Sequence, residues 1–390
     1  MKHVLILDAN QRSALAVTRS LGQHTVPILT ADSTITALAG RSRYALNYFQ
    51  YPEPSIFPEQ FINFISKIIV EYNIHVIFPV TELTTTLLLE NQDKLHNIVL
   101  PFPALDTITA ISNKSLLMRT AESLNIPIPR TWHEDNTKNS RLSLDDKPYP
   151  LVLKPSMSWL KQDGKWLHTL VQFADTPQMA QHILNEDPAF STHPFMLQKC
   201  VLGHGQGIFA LYNKGEAVAF FSHRRIREKP YWGGVSVLSE STDINPELLA
   251  YSRTLLDAVK WHGIAMVEFK VSDDGAAYLM EINTRFWGSL QLAIDAGVDF
   301  PWLLYQISLN HSVEPVTNYK TGVRLRWALG DLDGLYIRLK DKKLTMGQKI
   351  KAILHFLIPA PFKTRHEVNR WQDMRPFWYE LKQYIKALIK

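Results

Sequence analysis

The first hundred residues alternate short apolar runs with amphipathic segments, and this alternation restricts the fold more than any other feature of the chain. The runs HVLILDA, TVPILTA and HVIFPV have the length of strands and no helical period. Each precedes a segment with apolar residues at helical spacing, and one of these segments opens on Pro58, a residue tolerated in a first helical turn. The order βαβαβα predicts a parallel sheet covered by helices.

Several familiar motifs are missing from the sequence. The loop after the first strand, DANQRS, lacks the G-x-G-x-x-G pattern, so a dinucleotide site is not indicated. A Walker A motif and a G-x-S-x-G nucleophile elbow are also absent, which disfavours a P-loop nucleotidase and a serine hydrolase. The single cysteine, Cys200, excludes an internal disulfide and a multi-cysteine zinc site, and we interpret it as a packing residue.

The order of predicted helices and strands changes after Ser112. A helix is followed by a strand that ends near Lys154, then by consecutive strands with glycine-containing turns, a helix and a hairpin. This order predicts an α+β unit, and a chain of 390 residues is long enough for two or three domains. We therefore predict an α/β domain over residues 1–112, an α+β domain over 113–310, and a basic, aromatic-rich extension over 311–390.

The two apolar segments around Asp274–Gly275 predict a β-hairpin with a two-residue type I′ turn. Counting back from that turn places Glu268 opposite Glu281, and alternation places Asn283 on the same face. Opposed carboxylates repel each other unless a cation lies between them, and hard oxygen ligands of this kind suit Mg²⁺. A solvated strand face with unpaired acids is the alternative, which the apolar residues on the opposite face disfavour.

The segments EFK and MEINTR on either side of this turn resemble the C-terminal motif of the ATP-grasp superfamily, the group of biotin carboxylase, carbamoyl-phosphate synthetase and D-alanine–D-alanine ligase. The continuation FWGSLQLAIDAGVDFPWLLYQ resembles its predicted carboxylate–amine ligase branch. The resemblance implies a pre-ATP-grasp α/β domain with a parallel sheet, followed by an α+β ATP-grasp domain. It implies that Glu268, Glu281 and Asn283 bind Mg²⁺, with Mn²⁺ as the alternative ion. Arg285 is expected to steady the acyl-phosphate region.

The same resemblance implies a nucleotide site upstream of the hairpin. Two lysines, Lys114 and Lys154, are expected to hold the phosphates of ATP. The residues expected to contact the adenosine are Gln198, Lys199 and Val201 around adenine, and Gln206 at the ribose. The family often has glutamate in place of Gln198, so this sequence leaves the ribose contacts open.

The loop after Lys154 departs from the family pattern. The family places a glycine-rich loop there, whereas SMSWLKQDGKWLH contains only Gly164, together with the hydroxyls of Ser156 and Ser158. We predict that residues 155–168 close over the phosphates as a lid.

Downstream, SHRRIRE contains three arginines, and the family places a basic residue near Arg224 on the transferring phosphate. A salt-bridged edge strand is the alternative interpretation of that segment. The glycine pair Gly233–Gly234 that follows suggests close approach of a substrate to the backbone, although turns also use glycine.

The resemblance predicts a ligase that uses ATP to activate a small-molecule carboxylate as an acyl phosphate and couples it to an amine. Bicarbonate, thiol or water as the acceptor stays open, as does a non-catalytic nucleotide-binding scaffold. Specificity is expected around Thr81–Glu82 and residues 231–236. We expect no nucleic acid partner, and a homodimer stays open.

The net charge is +5, and basic residues concentrate after residue 339. A solvated helix face is the first interpretation of such a run, while the aromatic residues in HFLIPAPFK and WYELKQYIKALIK also suit an interfacial helix. The N-terminal apolar run is too short for a signal peptide, and no stretch is long enough to span a bilayer. We therefore expect a cytoplasmic protein, with peripheral membrane contact through the tail as the alternative.

Overall fold

The computed structural model describes residues 2–135, 142–231, 234–357 and 364–389. A four-stranded parallel sheet with strand order β3-β2-β1-β4 forms the N-terminal part, which confirms the predicted α/β architecture. Its elements are β1 (His3–Ile6), α1 (Arg12–Gln23), β2 (Ile28–Asp32), β3 (Ala45–Gln50), α2 (Pro58–Glu71), β4 (Ile74–Phe78), α3 (Glu82–Glu90) and α4 (Leu105–Ser112), with 3₁₀ turns at Ala39–Arg41 and Gln92–Lys94.

The edge strand β3 was not predicted from the sequence. All six of its residues are half-buried or exposed, because the strand pairs with β2 on one side only and is not enclosed by helices. A strand in that environment needs no continuous apolar run, so the pattern that revealed β1, β2 and β4 is missing.

A smaller antiparallel sheet with strand order β5-β10-β6-β9 follows, together with a separate two-stranded hairpin, β7–β8. The elements of this part are α5 (Lys114–Ser123), β5 (Thr131–Glu134), β6 (Leu151–Pro155), β7 (Trp159–Gln162), β8 (Lys165–His168), β9 (Gln172–Ala174), α6 (Pro177–Glu186), α7 (Pro188–Ser191) and β10 (Phe195–Lys199). The helix and strand predicted to begin and end with the two lysines are present as α5 and β6.

The largest sheet has seven strands in the order β15-β14-β11-β12-β13-β16-β17. The elements that build and cover it are β11 (His204–Asn213), β12 (Glu216–Lys229), β13 (Val235–Ser241), α8 (Pro246–Ala258), β14 (Gly263–Val271), β15 (Ala277–Asn283), α9 (Leu290–Ala296) and α10 (Phe300–Ser308). Helices and largely antiparallel sheets in this order confirm the predicted α+β part of the chain.

The hairpin β14–β15 has the predicted pairing of Glu268 with Glu281, but its turn differs from the prediction. Ser272 donates its backbone N–H to Ala276, so three residues rather than two form the loop, and Gly275 takes a positive φ of 89° there. Between the turn and Phe269, the strand pairing is therefore shifted by one residue from the predicted register. An irregularity between Glu268 and Phe269 restores the predicted register. The extra residue lies at Met280, and the two deviations cancel before the acidic pair is reached.

The C-terminal residues extend the large sheet and cover the N-terminal domain. Their elements are β16 (Arg324–Arg326), α11 (Ala328–Lys340), α12 (Met346–Leu357), β17 (Thr364–His366) and α13 (Arg375–Ile389). Strands β16 and β17 pair in parallel at the edge of the large sheet. Buried Arg19 on α1 donates hydrogen bonds to the backbone carbonyls of Glu367, Val368 and Asp373. The predicted three-domain division stays a prediction; its first boundary falls between α4 and α5.

Two apolar clusters join the N-terminal domain to the large sheet. One contains Phe61 of α2 and Phe269 of β14. The other contains Phe78 of β4 and the buried residues Phe286 and Trp287 that follow β15. Because both interfaces are apolar and closely packed, they fix the loops after β1 and β4 over the face of the large sheet that carries the acidic hairpin.

Candidate functional site

The acidic hairpin carries a continuous chain of polar contacts. Glu268 and Glu281 are directly opposed across β14 and β15. The Asn283 amide donates from Nδ2 to Oε1 of Glu281 at 3.1 Å, and Arg285 donates from Nη2 to Oδ1 of Asn283 at 3.1 Å. The four residues singled out by the MEINTR resemblance therefore lie together on one face of the sheet.

A fifth residue, Arg225 of β12, joins this group although the sequence had not singled it out. Its Nη2 donates to Oε1 of Glu268 at 3.0 Å, and its Nη1 donates to Glu228 at 3.2 Å. Strand β11 lies between β12 and β14, and Gly205 is the β11 residue beneath this contact. A Cβ there would lie 3.6 Å from Arg225 Nη1 and 3.9 Å from Glu268 Oε1, so the guanidinium crosses the strand within contact distance of this position.

Arg224, the residue predicted to contact the transferring phosphate, lies on the opposite face of β12. Its guanidinium donates to Glu240 at 2.7 Å, and its side chain is 61% exposed. Alternation along a strand separates neighbouring side chains, so only one of the two arginines faces the acidic pair. The structure therefore places Arg225, and not Arg224, beside Glu268, and the phosphate contact predicted for Arg224 stays a prediction.

The two predicted lysines are buried close to the acidic hairpin. Lys114 is the first residue of α5, and its Nζ donates to the Ser158 hydroxyl at 3.1 Å. Lys154 lies on β6, where burial lowers its pKa to about 8, an effect that Lys114 reinforces and that Glu281 opposes. A buried ammonium is costly unless anions surround it, so two of them in one place indicate a site for negative charge.

The surroundings shift the pKa values of the two glutamates in opposite directions. Burial raises the pKa of Glu268, and repulsion from Glu281 adds to that effect against the opposing influence of Arg225. Burial would also raise the pKa of Glu281, but Lys114 and Lys154 outweigh it and hold that pKa below its ordinary value. One carboxylate of the pair therefore resists ionisation, as expected for two acids that share a site built for an additional cation.

The residues predicted to surround adenosine lie on or beside β10 and β11, outside the cleft described below. Gln198 is buried and donates from Nε2 to the Thr131 hydroxyl at 3.0 Å, while its Oε1 has no hydrogen-bond partner among the described residues. Lys199 is exposed, and Val201 and Gln206 are half-buried. Strand β10 pairs with β6, with Met196 opposite Lys154, so these residues adjoin the lysine site.

The segment predicted to form a lid is the β7–β8 hairpin rather than an irregular loop. Its turn contains Asp163 and Gly164, a dipeptide typical of hairpins from which this element could have been predicted. The backbone N–H of Trp166 donates to the Ser55 carbonyl at 2.8 Å, so the hairpin contacts the N-terminal domain. Its base places Ser158, Trp159 and His168 beside the acidic group.

A cavity of about 490 Å³ lies between these elements, and we call it the central cleft. Gln11 and Arg12 follow β1, and Thr81 and Glu82 follow β4. Because these strands are neighbours at the point where the strand order of the parallel sheet reverses, the cleft occupies the usual ligand position of an open α/β sheet. The remaining wall includes Ser158, Trp159, His168, His223, Arg225, Gly234, Val235, Ser236, Met266, Glu268, Glu281, Asn283, Arg285, Phe286, Trp287, Gly288 and Ser289.

The cleft includes both regions in which specificity was predicted. Thr81 and Glu82 line it, as do residues 234–236, while residues 232 and 233, including one of the two predicted glycines, lie outside the described residues. Arg12 was not identified from the sequence. It forms an ion pair with Glu367, and its guanidinium lies 4.0 Å from the centre of the Trp327 ring. Both partners belong to the C-terminal residues, which no local sequence pattern connects to Arg12.

The donor set at the hairpin fits a magnesium ion that also binds a ligand. Among the described residues, no three His, Cys, Asp or Glu side chains converge on one point. Two carboxylates and an amide are too few to enclose a metal, but Mg²⁺ usually binds one or two carboxylates and completes its shell with phosphate oxygens and water. The adjacent lysines suit the phosphates that such a shell requires.

Residues 192–330 match the model of a family described as ATP-grasp in the biosynthetic pathway with Ter operon. A comparison with curated protein sequences finds no match. Among solved structures, the chain is similar to the β,γ-ATP complex of biotin carboxylase from Campylobacter jejuni, with a TM-score of 0.64 and 15% identity over 82% of this chain and 74% of that one.

Two further structures share this fold. For an L-amino acid ligase from Bacillus licheniformis, the TM-score is 0.61 and the identity 14%, over 80% of this chain and 75% of that one. For the biotin carboxylase domain dimer of 2-oxoglutarate carboxylase from Hydrogenobacter thermophilus, with MgADP, ADP and bicarbonate, the TM-score is 0.63 and the identity 14%, over 82% of this chain and 73% of that one. At these identities the structural comparisons establish the fold alone.

Proposed function

We propose that the chain, whose residues 192–330 match an ATP-grasp family model, uses ATP to activate a carboxylate as an acyl phosphate and transfers the acyl group to an amine. The observation that carries the proposal is the convergence of the opposed pair Glu268 and Glu281 with two buried lysines in one place. Two half-buried carboxylates beside two buried ammonium groups suit a ligand that combines a metal ion with phosphate groups.

The residues that would hold Mg²⁺ are Glu268, Glu281 and Asn283. When bound, the ion would neutralise charge on the phosphates and align the terminal phosphoryl group, and Mn²⁺ has the same ligand preference. The ammonium groups of Lys114 and Lys154 would bind the phosphate oxygens of ATP. The adenine ring would lie against β10, where the unpartnered Oε1 of Gln198 is a suitable acceptor for the adenine amino group.

The substrate carboxylate would bind between arginines at the opposite end of the acidic group. Arg285 extends from the hairpin, and a Cβ on Gly288 would lie only 3.1 Å from Arg12 Nη2, so Arg12 reaches the segment directly after Arg285. Planar guanidinium groups match a carboxylate in two hydrogen bonds. Arg225 takes the role first predicted for Arg224, which is to stabilise charge on the transferring phosphoryl group.

In the first step, a carboxylate oxygen of the substrate attacks the terminal phosphorus of ATP, and ADP departs. In the second step, the amine attacks the acyl carbon, and phosphate departs with the electron pair of the broken C–O bond. The protein contributes positioning and charge neutralisation, which are the main sources of rate enhancement in phosphoryl transfer. The β7–β8 hairpin would exclude water, which otherwise hydrolyses the acyl phosphate.

The decisive variant is Glu281→Gln, which preserves size and removes one charge of the opposed pair. We expect substrate-dependent ADP release to fall at least about a hundredfold, since stabilisation of developing charge usually contributes most to such catalysis. Mn²⁺ binding, followed by electron paramagnetic resonance in the presence of ATP, should weaken in parallel. The matched control is Glu216→Gln, an exposed glutamate of β12. Unchanged turnover in the Glu281 variant would refute the proposed site.

The acceptor is the second question. Measuring ADP release with a fixed carboxylate against panels of amines, thiols and bicarbonate separates an amide-forming enzyme from one with another acceptor. If ATP and Mg²⁺ bind but no carboxylate supports ADP release, a non-catalytic nucleotide-binding scaffold is the better description. A homodimer stays a prediction, and sedimentation at several protein concentrations tests it.

A specific feature of α12 favours contact with a membrane surface. Its exposed apolar side chains recur at helical spacing, at Met346, Ile350, Ile353, Leu354 and Leu357. Exposed lysines lie on and just before the helix, at Lys342, Lys343 and Lys351. None of the helices among the described residues combines the length and apolar character that crossing a bilayer demands. We infer that α12 lies flat on an anionic bilayer surface, with its apolar stripe inserted among the headgroups.

Vesicle pelleting tests this location. The chain should sediment with vesicles containing phosphatidylserine more than with phosphatidylcholine alone, and the double variant Ile350→Ser, Leu354→Ser should lose that preference. Val70→Ser, which removes an isolated exposed apolar residue of α2, is the control. Equal sedimentation of all three proteins would contradict the inference. Of the predicted stretch HFLIPAPFK, residues 358–363 lie outside the described residues.

A further inference from the structure

A second cavity of about 550 Å³ adjoins the central cleft, and we call it the tail cavity. Gln11, Arg12 and Val235 line both cavities, so the two spaces meet at these side chains. A ligand in the tail cavity would therefore lie next to the position proposed for the activated carboxylate.

The tail cavity exists because the C-terminal residues fold back on the N-terminal domain. Trp327 directly precedes α11, while Tyr379, Glu380 and Gln383 lie on α13. Tyr379 donates its hydroxyl to the Thr36 carbonyl at 2.6 Å, which fixes α13 against the loop after β2. The wall thus combines residues from both ends of the chain, and the C-terminal residues contribute directly to the cavity.

The charge of the cavity wall is unbalanced in favour of a cation. Arg12 pairs with Glu367, and its Nη2 lies beside Gly288 in the central cleft, where the proposed function assigns it to the substrate carboxylate. Glu380 accepts a hydrogen bond from Trp327 Nε1 at 2.7 Å, and it forms no ion pair among the described residues. Burial raises the pKa of Glu380 and the proximity of Glu367 adds to this effect, which outweighs the opposing hydrogen bond from Trp327 and the charges of Arg12 and Arg19.

The other lining groups describe the rest of the ligand. Asn10, Gln11 and Gln383 offer neutral amides, and Tyr379, Leu38 and Val235 offer apolar surface. A primary ammonium group on an apolar or aromatic body meets both requirements. An anionic ligand would meet Glu380 without a free cation in the described part of the wall, and a second nucleotide is disfavoured for the same reason.

We propose that the tail cavity binds the acceptor substrate, a primary amine with an apolar body, through an ion pair between its ammonium group and Glu380. This rests on the proposed function and names the substrate class of its second step. The C–N bond forms as the C–O bond to phosphate breaks, and the protons lost by the ammonium group pass to phosphate and water. Glu380 binds and positions the amine.

The first test measures binding without turnover, using the full chain and three probes of similar shape. Phenethylamine, phenethyl alcohol and phenylacetate are cationic, neutral and anionic, and saturation-transfer NMR ranks their binding. We expect the wild-type protein to prefer phenethylamine, and Glu380→Gln to reduce that affinity by about tenfold or more. Glu314→Gln, at an exposed glutamate outside the cavity, is the control. Equal binding of all three probes, or an unchanged preference in Glu380→Gln, would overturn the proposal.

A second variant covers the case in which loss of Glu380 disturbs folding. Gln383→Lys leaves the hydrogen bond between Trp327 and Glu380 in place and introduces a competing ammonium group on the same helix. It should exclude phenethylamine while the circular dichroism spectrum and the melting temperature stay close to wild type. Retention of amine binding by a folded Gln383→Lys protein would argue against the site.

A trapping assay separates failure of this proposal from failure of the proposed function. Hydroxylamine is small and largely uncharged at neutral pH, so it captures an acyl phosphate as a hydroxamate without needing Glu380. In Glu380→Gln, ATP-dependent hydroxamate formation from a carboxylate panel should equal that of wild type, while coupling to phenethylamine falls. If no carboxylate yields hydroxamate in the wild-type protein, the proposed function fails. If hydroxamate forms and amine coupling is unchanged in the variant, only the tail-cavity proposal fails.

Discussion

Arg225 reaches across a neighbouring strand to donate a hydrogen bond to Glu268 at 3.0 Å. This contact places a fixed positive charge on one acid of the opposed pair, while Glu281 is balanced by the lysines from the other side. The acidic pair is therefore held between two cationic groups with different origins in the fold. One comes from the large sheet and the other from the smaller sheet and helix α5.

This contact predicts that substitutions of two adjacent arginines affect catalysis very differently. Arg225→Ala should reduce carboxylate-dependent ADP release by about a hundredfold, because it removes the charge that we propose stabilises the transferring phosphoryl group. Arg224→Ala should stay within about twofold of wild type, because that side chain is largely exposed and pairs with Glu240 on the other face. Steady-state kinetics with saturating ATP measure both variants. A larger loss in Arg224→Ala than in Arg225→Ala would instead favour Arg224 as the phosphate-contacting arginine.

The sequence predicted the acidic pair correctly but not the route by which it forms. The pattern of apolar residues determined which face Glu268 and Glu281 share, since a wrong face would expose the core side of the hairpin. It did not reveal the three-residue loop or the irregularity at Met280, whose effects cancel at the pair. Turn type and bulges depend on local backbone energies that similar sequences satisfy in several ways.

Long-range contacts explain the parts of the site that the sequence did not predict. Arg225 becomes significant only because the strand order places β12 one strand away from β14, within reach of Glu268. Arg12 becomes significant only because the tail returns to pair with it through Glu367, 355 residues later. Neither relationship has a local signature, whereas Lys114 and Lys154 stood at the ends of recognisable elements. The tail itself has no sequence pattern that indicates strands β16 and β17. Both are only three residues long, and they are strands because they pair at the edge of the large sheet.

The lowered pKa of Lys154 predicts how nucleotide affinity depends on pH. The protonated lysine attracts phosphate, and its pKa of about 8 means that this form is lost as the pH rises through 8. Affinity for ADP measured by calorimetry with EDTA present should therefore be nearly constant below pH 7 and fall about tenfold between pH 7 and pH 9. Lys154→Arg should bind ADP with no such fall, because guanidinium stays charged in this range.

Lys154→Met provides the complementary control for this dependence. It should bind ADP weakly and with little change over the same pH interval, since the titrating group is absent. If Lys154→Met retains the wild-type fall between pH 7 and pH 9, another group is responsible. The terminal phosphate of ADP becomes more ionised as the pH rises, which would strengthen binding to a cationic site, so the nucleotide itself does not supply the fall.

The contact of Arg19 with the C-terminal residues predicts that the tail is a stabilising part of the fold. Arg19 is 3% exposed, and its Nε donates to Asp373 at 3.0 Å in addition to its three backbone contacts. Arg19→Met leaves the buried Asp373 carboxylate without its cation and three carbonyls without a donor. Breaking a buried pair in this way costs about 3–5 kcal/mol in the free energy of unfolding. Denaturant titration measures this loss, and limited proteolysis should show cleavage between α11 and α13 before the rest of the chain is cut.

Arg43→Met is the matched control, because Arg43 contacts the same segment through the Gln372 carbonyl but is exposed. Its effect should stay within about 0.5 kcal/mol, as for most surface substitutions. Because Trp327 and α13 also form the wall of the tail cavity, Arg19→Met should weaken phenethylamine binding, whereas ADP affinity, for which we propose Lys114 and Lys154, should persist. Equal destabilisation by both variants would mean that the buried contacts of Arg19 stabilise the fold no more than the exposed contact of Arg43. The tail would then be held by its apolar packing alone.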